Sequence, residues 1–76
     1  MYITITIEAE GIRRRISIDE RQRVLAAYAI LARRGLVTGD AVPALYKSAL
    51  LDEWIQGEPT FKDQGIVGGD LLTAQW

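Results

Sequence analysis

A chain of 76 residues, of which 49% are apolar and 25% charged, has the length and composition of one small globular domain. It contains no cysteine and no histidine, which excludes disulfides, thiolate chemistry, the usual zinc ligands and the commonest general base. The net charge of −1 divides into +3 for residues 1–38 and −4 for residues 39–76. This polarity can orient a partner or favour head-to-tail contact between copies.

The sequence also lacks the signals of a membrane or secreted protein. No apolar run approaches the ~20 residues that cross a bilayer, and the N-terminus begins a strand pattern instead of a basic segment followed by an apolar one. We therefore expect a cytoplasmic protein that folds without a cofactor and does not insert directly into a membrane.

Two strands joined by a hairpin are predicted first. Residues 2–9 alternate strictly, and the run stops at Glu10-Gly11, where glycine can supply a positive φ. One side carries Ile3, Ile5, Ile7 and Ala9, and the other carries Tyr2, Thr4, Thr6 and Glu8. In the second strand the predicted core side carries Ile12, Arg14, Ile16 and Ile18. Arg14 departs from this pattern, and either its methylenes lie on apolar surface or a bulge turns it outward.

A helix is predicted from Glu20 to Arg34. Asp19 can act as its N-cap and Gln22 can complete a capping box. Gly35 follows the basic last turn and can adopt the left-handed conformation, which lets Leu36 fold back on Leu31. The predicted apolar face consists of Val24, Leu25, Tyr28, Leu31 and Ala32.

The second half of the chain is predicted to form three more strands. After a linker over residues 37–43, with a turn at Gly39-Asp40, residues 44–51 indicate a strand of undetermined facing. Trp54-Ile55 forms a short strand, and Thr60 caps a single helical turn that Gly65 ends. Gly68-Gly69-Asp70 then turns the chain into a last strand, residues 71–76, with Leu72 and Ala74 inward.

This order of elements predicts an α+β fold in which one helix covers one face of a five-stranded mixed sheet. A helical crossover after the hairpin favours a last strand that lies parallel to the first. The predicted strand order is 2-1-5-3-4, which is that of the ubiquitin-like β-grasp fold.

The closing half also resembles one family of small bacterial ubiquitin-like proteins. The run Lys47-Ser48-Ala49-Leu50, the pair Trp54-Ile55, the segment from Thr60 to Ile66 and Gly69-Asp70-Leu71-Leu72 are similar to the YukD/EsaB family. The opening Met-Tyr-Ile-x-Ile-x-Ile also looks like that family's first strand. The middle of the chain matches in element order only.

The resemblance implies a cytoplasmic accessory of a type VII (WXG100) secretion system, with no enzyme activity and with secretion components as protein partners. The expected contact surface is the exposed sheet face, which is more polar than the apolar patch of ubiquitin. On this surface we expect Tyr2, Thr4, Thr6, Lys47, Ala49, Thr73 and Gln75.

The Gly68-Gly69 pair separates this protein from conjugated ubiquitin-like proteins. Those proteins are activated at a C-terminal Gly-Gly carboxylate, whereas this pair is internal and reads as a turn. We expect no conjugation unless the natural chain extends past Trp76.

Other functions stay open as alternatives: a sulfur carrier or modifier, or a generic protein-interaction domain. Nucleic-acid binding through Arg13 to Arg15, Arg21, Arg23, Arg33 and Arg34 is disfavoured by the acidic pI and the lack of stacking aromatics on the sheet. Catalysis by Asp52-Glu53 or Asp19-Glu20 is disfavoured because a turn and a helix start explain those pairs.

Trp54 and Trp76 lie where complete burial is difficult, so a homodimer is a further alternative.

Overall fold

The computed structural model describes residues 1–39 and 41–76. A hairpin is followed by a helix, a second hairpin and a final strand. The elements are β1 (Tyr2–Ala9), β2 (Ile12–Asp19), α1 (Val24–Arg33), β3 (Leu45–Ser48), β4 (Glu53–Gln56) and β5 (Leu71–Gln75).

The five strands form one mixed sheet in the order β2-β1-β5-β3-β4, which confirms the predicted order. β5 lies at the centre and pairs in parallel with β1 and antiparallel with β3. The remaining pairs, β1 with β2 and β3 with β4, are antiparallel. One helix and a mixed sheet in this order constitute the predicted ubiquitin-like β-grasp fold.

The core lies between α1 and the inner face of the sheet. Alternation in the strands places one set of side chains inward, where α1 covers them. The helix contributes Val24, Ala27, Tyr28 and Leu31. The central part of the sheet contributes Ile5, Ile7, Tyr46 and Leu72, and Phe61 fills the space from the loop side. Leu25 and Ala32, predicted for the buried helical face, are only half-buried.

The predicted start of the helix is wrong. α1 begins at Val24 instead of Glu20, and its N-cap residue, Arg23, makes no side-chain capping hydrogen bond. The first free N–H groups of the helix donate instead to a distant loop, Val24 to the Pro59 carbonyl at 3.2 Å and Leu25 to the Gly57 carbonyl at 2.9 Å. Backbone carbonyls remote in sequence thus replace the local cap.

Asp19 has a different partner from the one predicted. Its carboxylate accepts hydrogen bonds from the Arg21 guanidinium at 3.1 and 2.8 Å and from the Arg21 N–H at 3.0 Å. These bonds hold the pKa of Asp19 well below its usual value. Because Asp19 belongs to β2 and bonds to Arg21, it does not cap α1, and the predicted capping box with Gln22 does not form.

The predicted end of the helix is confirmed. Gly35 has φ +71°, its N–H donates to the Ala32 carbonyl, and the Leu36 N–H donates to the Leu31 carbonyl, both at 3.0 Å. This is the Schellman arrangement, which satisfies the last carbonyls of a helix.

β2 pairs with β1 in an unbroken register, without a bulge at Arg14. The Arg14 side chain stays on the inner side and is half-buried, in agreement with the first of the two predicted arrangements. Ile12, predicted on the core side, is 42% exposed because it lies at the hairpin end.

In the second hairpin, the first strand is shorter and the second strand is longer than the sequence predicts. β3 ends at Ser48 because residues 49–52 form the turn, and Glu53, predicted in that turn, begins β4. The facing of β3 is now defined, since Tyr46 and Ser48 are buried. Asp40 lies outside the described residues, and with it the predicted turn at Gly39-Asp40.

The segment before β5 has the predicted turns. The Thr60 hydroxyl accepts a hydrogen bond from the Asp63 N–H at 3.0 Å, and the Gln64 N–H donates to the Thr60 carbonyl at 3.3 Å. The segment is a hydrogen-bonded turn rather than an assigned helix. Gly65 ends it with φ +74°, and Gly69 has φ +90° in the turn into β5, a conformation that favours glycine.

The Tyr46 hydroxyl provides a test of this core. The side chain is fully buried, and its hydroxyl oxygen has no hydrogen-bond partner within the described residues. Burial, with a smaller effect from Tyr28, raises the pKa of the Tyr46 phenol. Because the pKa is higher in the folded state than in the unfolded state, stability is retained below pH ~10 and falls as the pH rises further.

We predict that Tyr46→Phe leaves the free energy of unfolding at pH 7 unchanged or raises it by about 1 kcal/mol, because no hydrogen bond is lost. Above pH ~10 the variant should lose less stability than the parent protein. Urea unfolding at both pH values measures this. A loss of more than about 1 kcal/mol at pH 7 would contradict the assignment of an unpartnered hydroxyl.

Candidate protein-binding face

The outer face of the sheet, opposite α1, is the candidate binding surface. The strand register aligns five side chains across it into a row, which we call the central row. Glu8 lies beside Arg13 and Thr73, and Thr73 in turn lies beside Lys47. Trp54 completes the row next to Lys47. The row begins with the ion pair of Arg13 and Glu8, continues through Thr73 to Lys47 and ends on an aromatic ring.

The structure brings only part of the predicted site together. Thr6, Lys47 and Thr73 are half-buried neighbours around the centre of the outer face, and Thr4 is exposed beside them in β1. Ala49 is exposed but lies in the turn after β3, where its N–H donates to the Leu71 carbonyl at 3.0 Å.

Tyr2 and Gln75 lie at opposite ends of this face. β1 and β5 run parallel with Thr6 beside Leu71, so the two residues are separated by about 26 Å along the strands at ~3.3 Å per residue. Tyr2 is 71% exposed. Six of the seven predicted residues therefore share a face, Ala49 lies in the adjacent turn, and the seven do not form one cluster.

Trp54 lies on the candidate face, although from the sequence it was predicted only as a residue of self-association. Its indole is 53% exposed, and the Lys47 ammonium lies 5.4 Å from the ring centroid. The same ammonium lies 3.3 Å from the Asp52 carboxylate. A cation held over a half-exposed indole presents both apolar area and charge to a partner. Positions 47 and 54 pair across the second hairpin. This pairing is the signal in the sequence that would have placed Trp54 beside Lys47.

Leu45 and Leu71 also lie on the outer face and were not predicted there. Leu45 is 37% exposed and Leu71 is half-buried. In the adjacent turn Leu50 and Leu51 are 59% and 38% exposed. The β3–β4 end of the face is thus more apolar than the sequence pattern predicts, while its β1–β2 end is polar and charged.

A buried carboxylate fixes this turn to the sheet. Asp70 is 1% exposed, and it accepts hydrogen bonds from the Ser48 hydroxyl at 2.5 Å, the Leu50 N–H at 3.1 Å and the Leu71 N–H at 2.8 Å. The Ser48 hydroxyl oxygen accepts in turn from the Leu51 N–H at 3.1 Å. The turn is therefore ordered by the side chain of Ser48 at the end of β3 and by that of Asp70, the residue before β5.

Three of the arginines considered for nucleic-acid binding are already paired. Arg13 binds Glu8, Arg21 binds Asp19 and Arg23 binds Glu58. Within the described ranges there is no cluster of three acidic residues that could hold a metal ion. No helix in the described part of the chain is long and apolar enough to cross a membrane.

Comparison with solved structures supports the fold assignment. The C-terminal ubiquitin-like domain of mouse tubulin-specific chaperone e matches with a TM-score of 0.68 and 16% identity, over 99% of this chain and 86% of that one. The EccD5 ubiquitin-like domain from Mycobacterium xenopi matches with a TM-score of 0.58 and 12% identity, over 99% and 93%. At these identities the likeness shows the ubiquitin-like fold alone. No protein-family model matches the sequence, and no curated protein matches it.

We predict that Asp70→Ala lowers the free energy of unfolding by about 2–4 kcal/mol, because it leaves the Ser48 hydroxyl and two N–H groups without their acceptor. Thermal or urea unfolding measures the change. The matched control is Asp63→Ala, at an exposed position, with an expected change within about 0.5 kcal/mol. Equal effects of the two substitutions would show that the buried carboxylate does not stabilise the turn.

Proposed function

We propose that this chain is a non-conjugated ubiquitin-like protein that acts as a cytoplasmic accessory or adaptor of a type VII secretion system. It has no enzyme activity of its own in this proposal and works by being bound through its outer face. The observation that carries the adaptor role is the central row, in which Lys47 over Trp54 joins an apolar area to a line of charged side chains.

The assignment to secretion comes from the sequence resemblance to the YukD/EsaB family. The residues that carry it include Ser48, Phe61, Ile66 and Asp70, and the structure gives these residues buried positions. The fold likeness to the EccD5 and chaperone domains supports the ubiquitin-like class, and ubiquitin-like domains commonly mediate protein contacts.

A structural role for Gly68-Gly69 supports the non-conjugated assignment. Gly69 has φ +90°, and its N–H donates to the Thr4 carbonyl at 2.8 Å. Cleavage after this pair would remove β5, which is the central strand, and with it the pairing between the two halves of the sheet. The pair is thus a turn and not an activated tail. The competing sulfur-carrier or modifier function would be supported by an adenylate or thiocarboxylate mass after incubation with ATP and an activating enzyme.

We predict that a tagged chain expressed in its native host captures WXG100 proteins or the membrane ATPase of the secretion system. Lys47→Glu should reduce this capture by about tenfold, because it reverses the charge beside Trp54. Quantitative mass spectrometry of the captured proteins measures the difference.

The matched control is Lys62→Glu, which makes the same charge change at an exposed position in the turn before Gly65. It should leave capture within about threefold of the parent. Recovery of no secretion component would contradict the proposed system, and equal loss in both variants would contradict the proposed face. Far-UV circular dichroism confirms that both variants are folded.

A further inference from the structure

The two edge strands of the sheet differ in their availability to another chain. At β4, the Gln64 side chain occupies the outer edge: its Oε1 accepts from the Gln56 N–H and its Nε2 donates to the Gln56 carbonyl, both at 2.8 Å. These are the two backbone groups that an added strand would pair with. The β4 edge is therefore closed at Gln56.

The β2 edge is open. The Glu20 N–H donates to the Met1 carbonyl at 2.9 Å, and this bond sets the phase of the antiparallel β1–β2 ladder. Since hydrogen-bonded and non-hydrogen-bonded pairs alternate in such a ladder, the backbone groups of Arg13, Arg15 and Ser17 point away from β1. They form a row of donors and acceptors that faces outward.

A groove runs beside this open edge, between β2 and α1. Its volume is about 410 Å³. The apolar part of the wall consists of Ile18 from β2 and Ala26, Ala29 and Ile30 from one stripe of the helix, and Tyr2 of β1 also lines the groove. Asp19 also lines the groove, but its carboxylate is paired with the Arg21 guanidinium. The groove therefore offers an apolar surface next to unpaired backbone groups.

The charges around the edge select the kind of segment that fits. Arg13 and Arg15 project on the outer face beside the open backbone, and Arg33 lines the groove. Arg15 and Arg33 form no ion pair within the residues that the structure describes. Arg14, on the inner side of β2, has a buried Nε without a hydrogen-bond partner. A second copy pairing edge to edge would oppose arginines to arginines, which is unfavourable, whereas an acidic segment would be attracted.

We infer that the β2 edge and the adjacent groove bind an extended acidic segment of a partner protein by adding it to the sheet as a further strand. Because side chains alternate along a strand, the segment alternates apolar residues, which lie in the groove, with acidic residues, which lie beside Arg13 and Arg15. This surface meets the central row only at Arg13, whose guanidinium is ion-paired with Glu8, and the inference does not rest on the proposed function.

The experiment is a titration of the ¹⁵N-labelled full chain with the capped peptide Val-Glu-Val-Glu-Val-Glu-Val. The expected result is saturable amide shifts at Arg13, Arg15 and Ser17 in β2 and at Ala29 and Ile30 in α1. Raising the salt concentration from about 50 to about 500 mM should weaken binding, because the attraction is between exposed charges. The peptide with lysine in place of glutamate should not bind.

A pair of charge reversals tests the site. Arg15→Glu should weaken peptide binding by about tenfold or more, while Arg34→Glu, the same change at the C-cap of α1 outside the groove, should stay within about threefold. Equal effects would overturn the inference. It is also overturned if no saturable shift occurs, or if the shifts map to Lys47 and Thr73 on the outer face.

The strand geometry has its own test, which leaves the protein unchanged. Two isomeric peptides are N-methylated on alternate residues, so that only one of them loses the N–H groups that would pair with β2. One isomer should bind and the other should lose binding. Equal binding of the two isomers would overturn strand addition. Sedimentation that shows a homodimer through the β2 edge would identify a second copy as the occupant and would likewise overturn the inference.

Discussion

Asp70, whose carboxylate is buried, joins the two halves of the sheet. Its backbone carbonyl accepts from the Thr6 N–H of β1 at 3.0 Å, while its side chain accepts from Ser48 at the end of β3 and from the turn beyond it. The central strand begins at this point, so both of its neighbours are aligned by one residue. An ionised carboxylate without these donors would be very unfavourable in the interior, which makes the arrangement specific as well as stabilising. This alignment of the strands determines which side chains are neighbours on the outer face, including Lys47 over Trp54.

A second long-range contact defines the helix. The loop that contains Gly57 and Pro59 supplies carbonyls to the first N–H groups of α1, and Gly57 has little free space there, since a Cβ would lie 3.3 Å from the Leu25 Cβ. In the opposite direction the Phe61 N–H donates to the Gln22 carbonyl at 3.1 Å. The segment from 57 to 61 thus fixes where the helix begins and places Phe61 in the core.

The sequence correctly predicted the features of the fold that depend on local pattern. Alternation identified β1 and the inward residues of β5, and Gly35 identified the end of α1. The start of the helix could not be predicted, because Asp19 has the local signals of a cap but bonds to Arg21, and the groups that complete the helix are remote in sequence. The facing of β3 was hidden for a similar reason. Ser48 is polar but faces inward, and Leu45 is apolar but faces outward, which is the reverse of the usual pattern. The buried hydroxyl of Ser48 is satisfied by the Asp70 carboxylate, which is remote in sequence.

The candidate site was predictable as a face but not as a cluster. Alternation placed Thr4, Thr6 and Thr73 on one side of the sheet. Which residues become neighbours depends on the register between strands, and register is set by non-local pairing. That pairing separates Tyr2 from Gln75 and brings Trp54 to Lys47.

The side-chain amide of Gln64 on the backbone of Gln56 limits how the sheet can grow. Because the backbone groups of Gln56 are occupied there, head-to-tail pairing of the β2 edge of one copy with the β4 edge of another is hindered at that position. A strand-forming segment therefore meets an obstacle at the β4 edge that the β2 edge does not present. In the inferred assembly this difference between the edges favours one segment per chain, and the Gln64 side chain produces it.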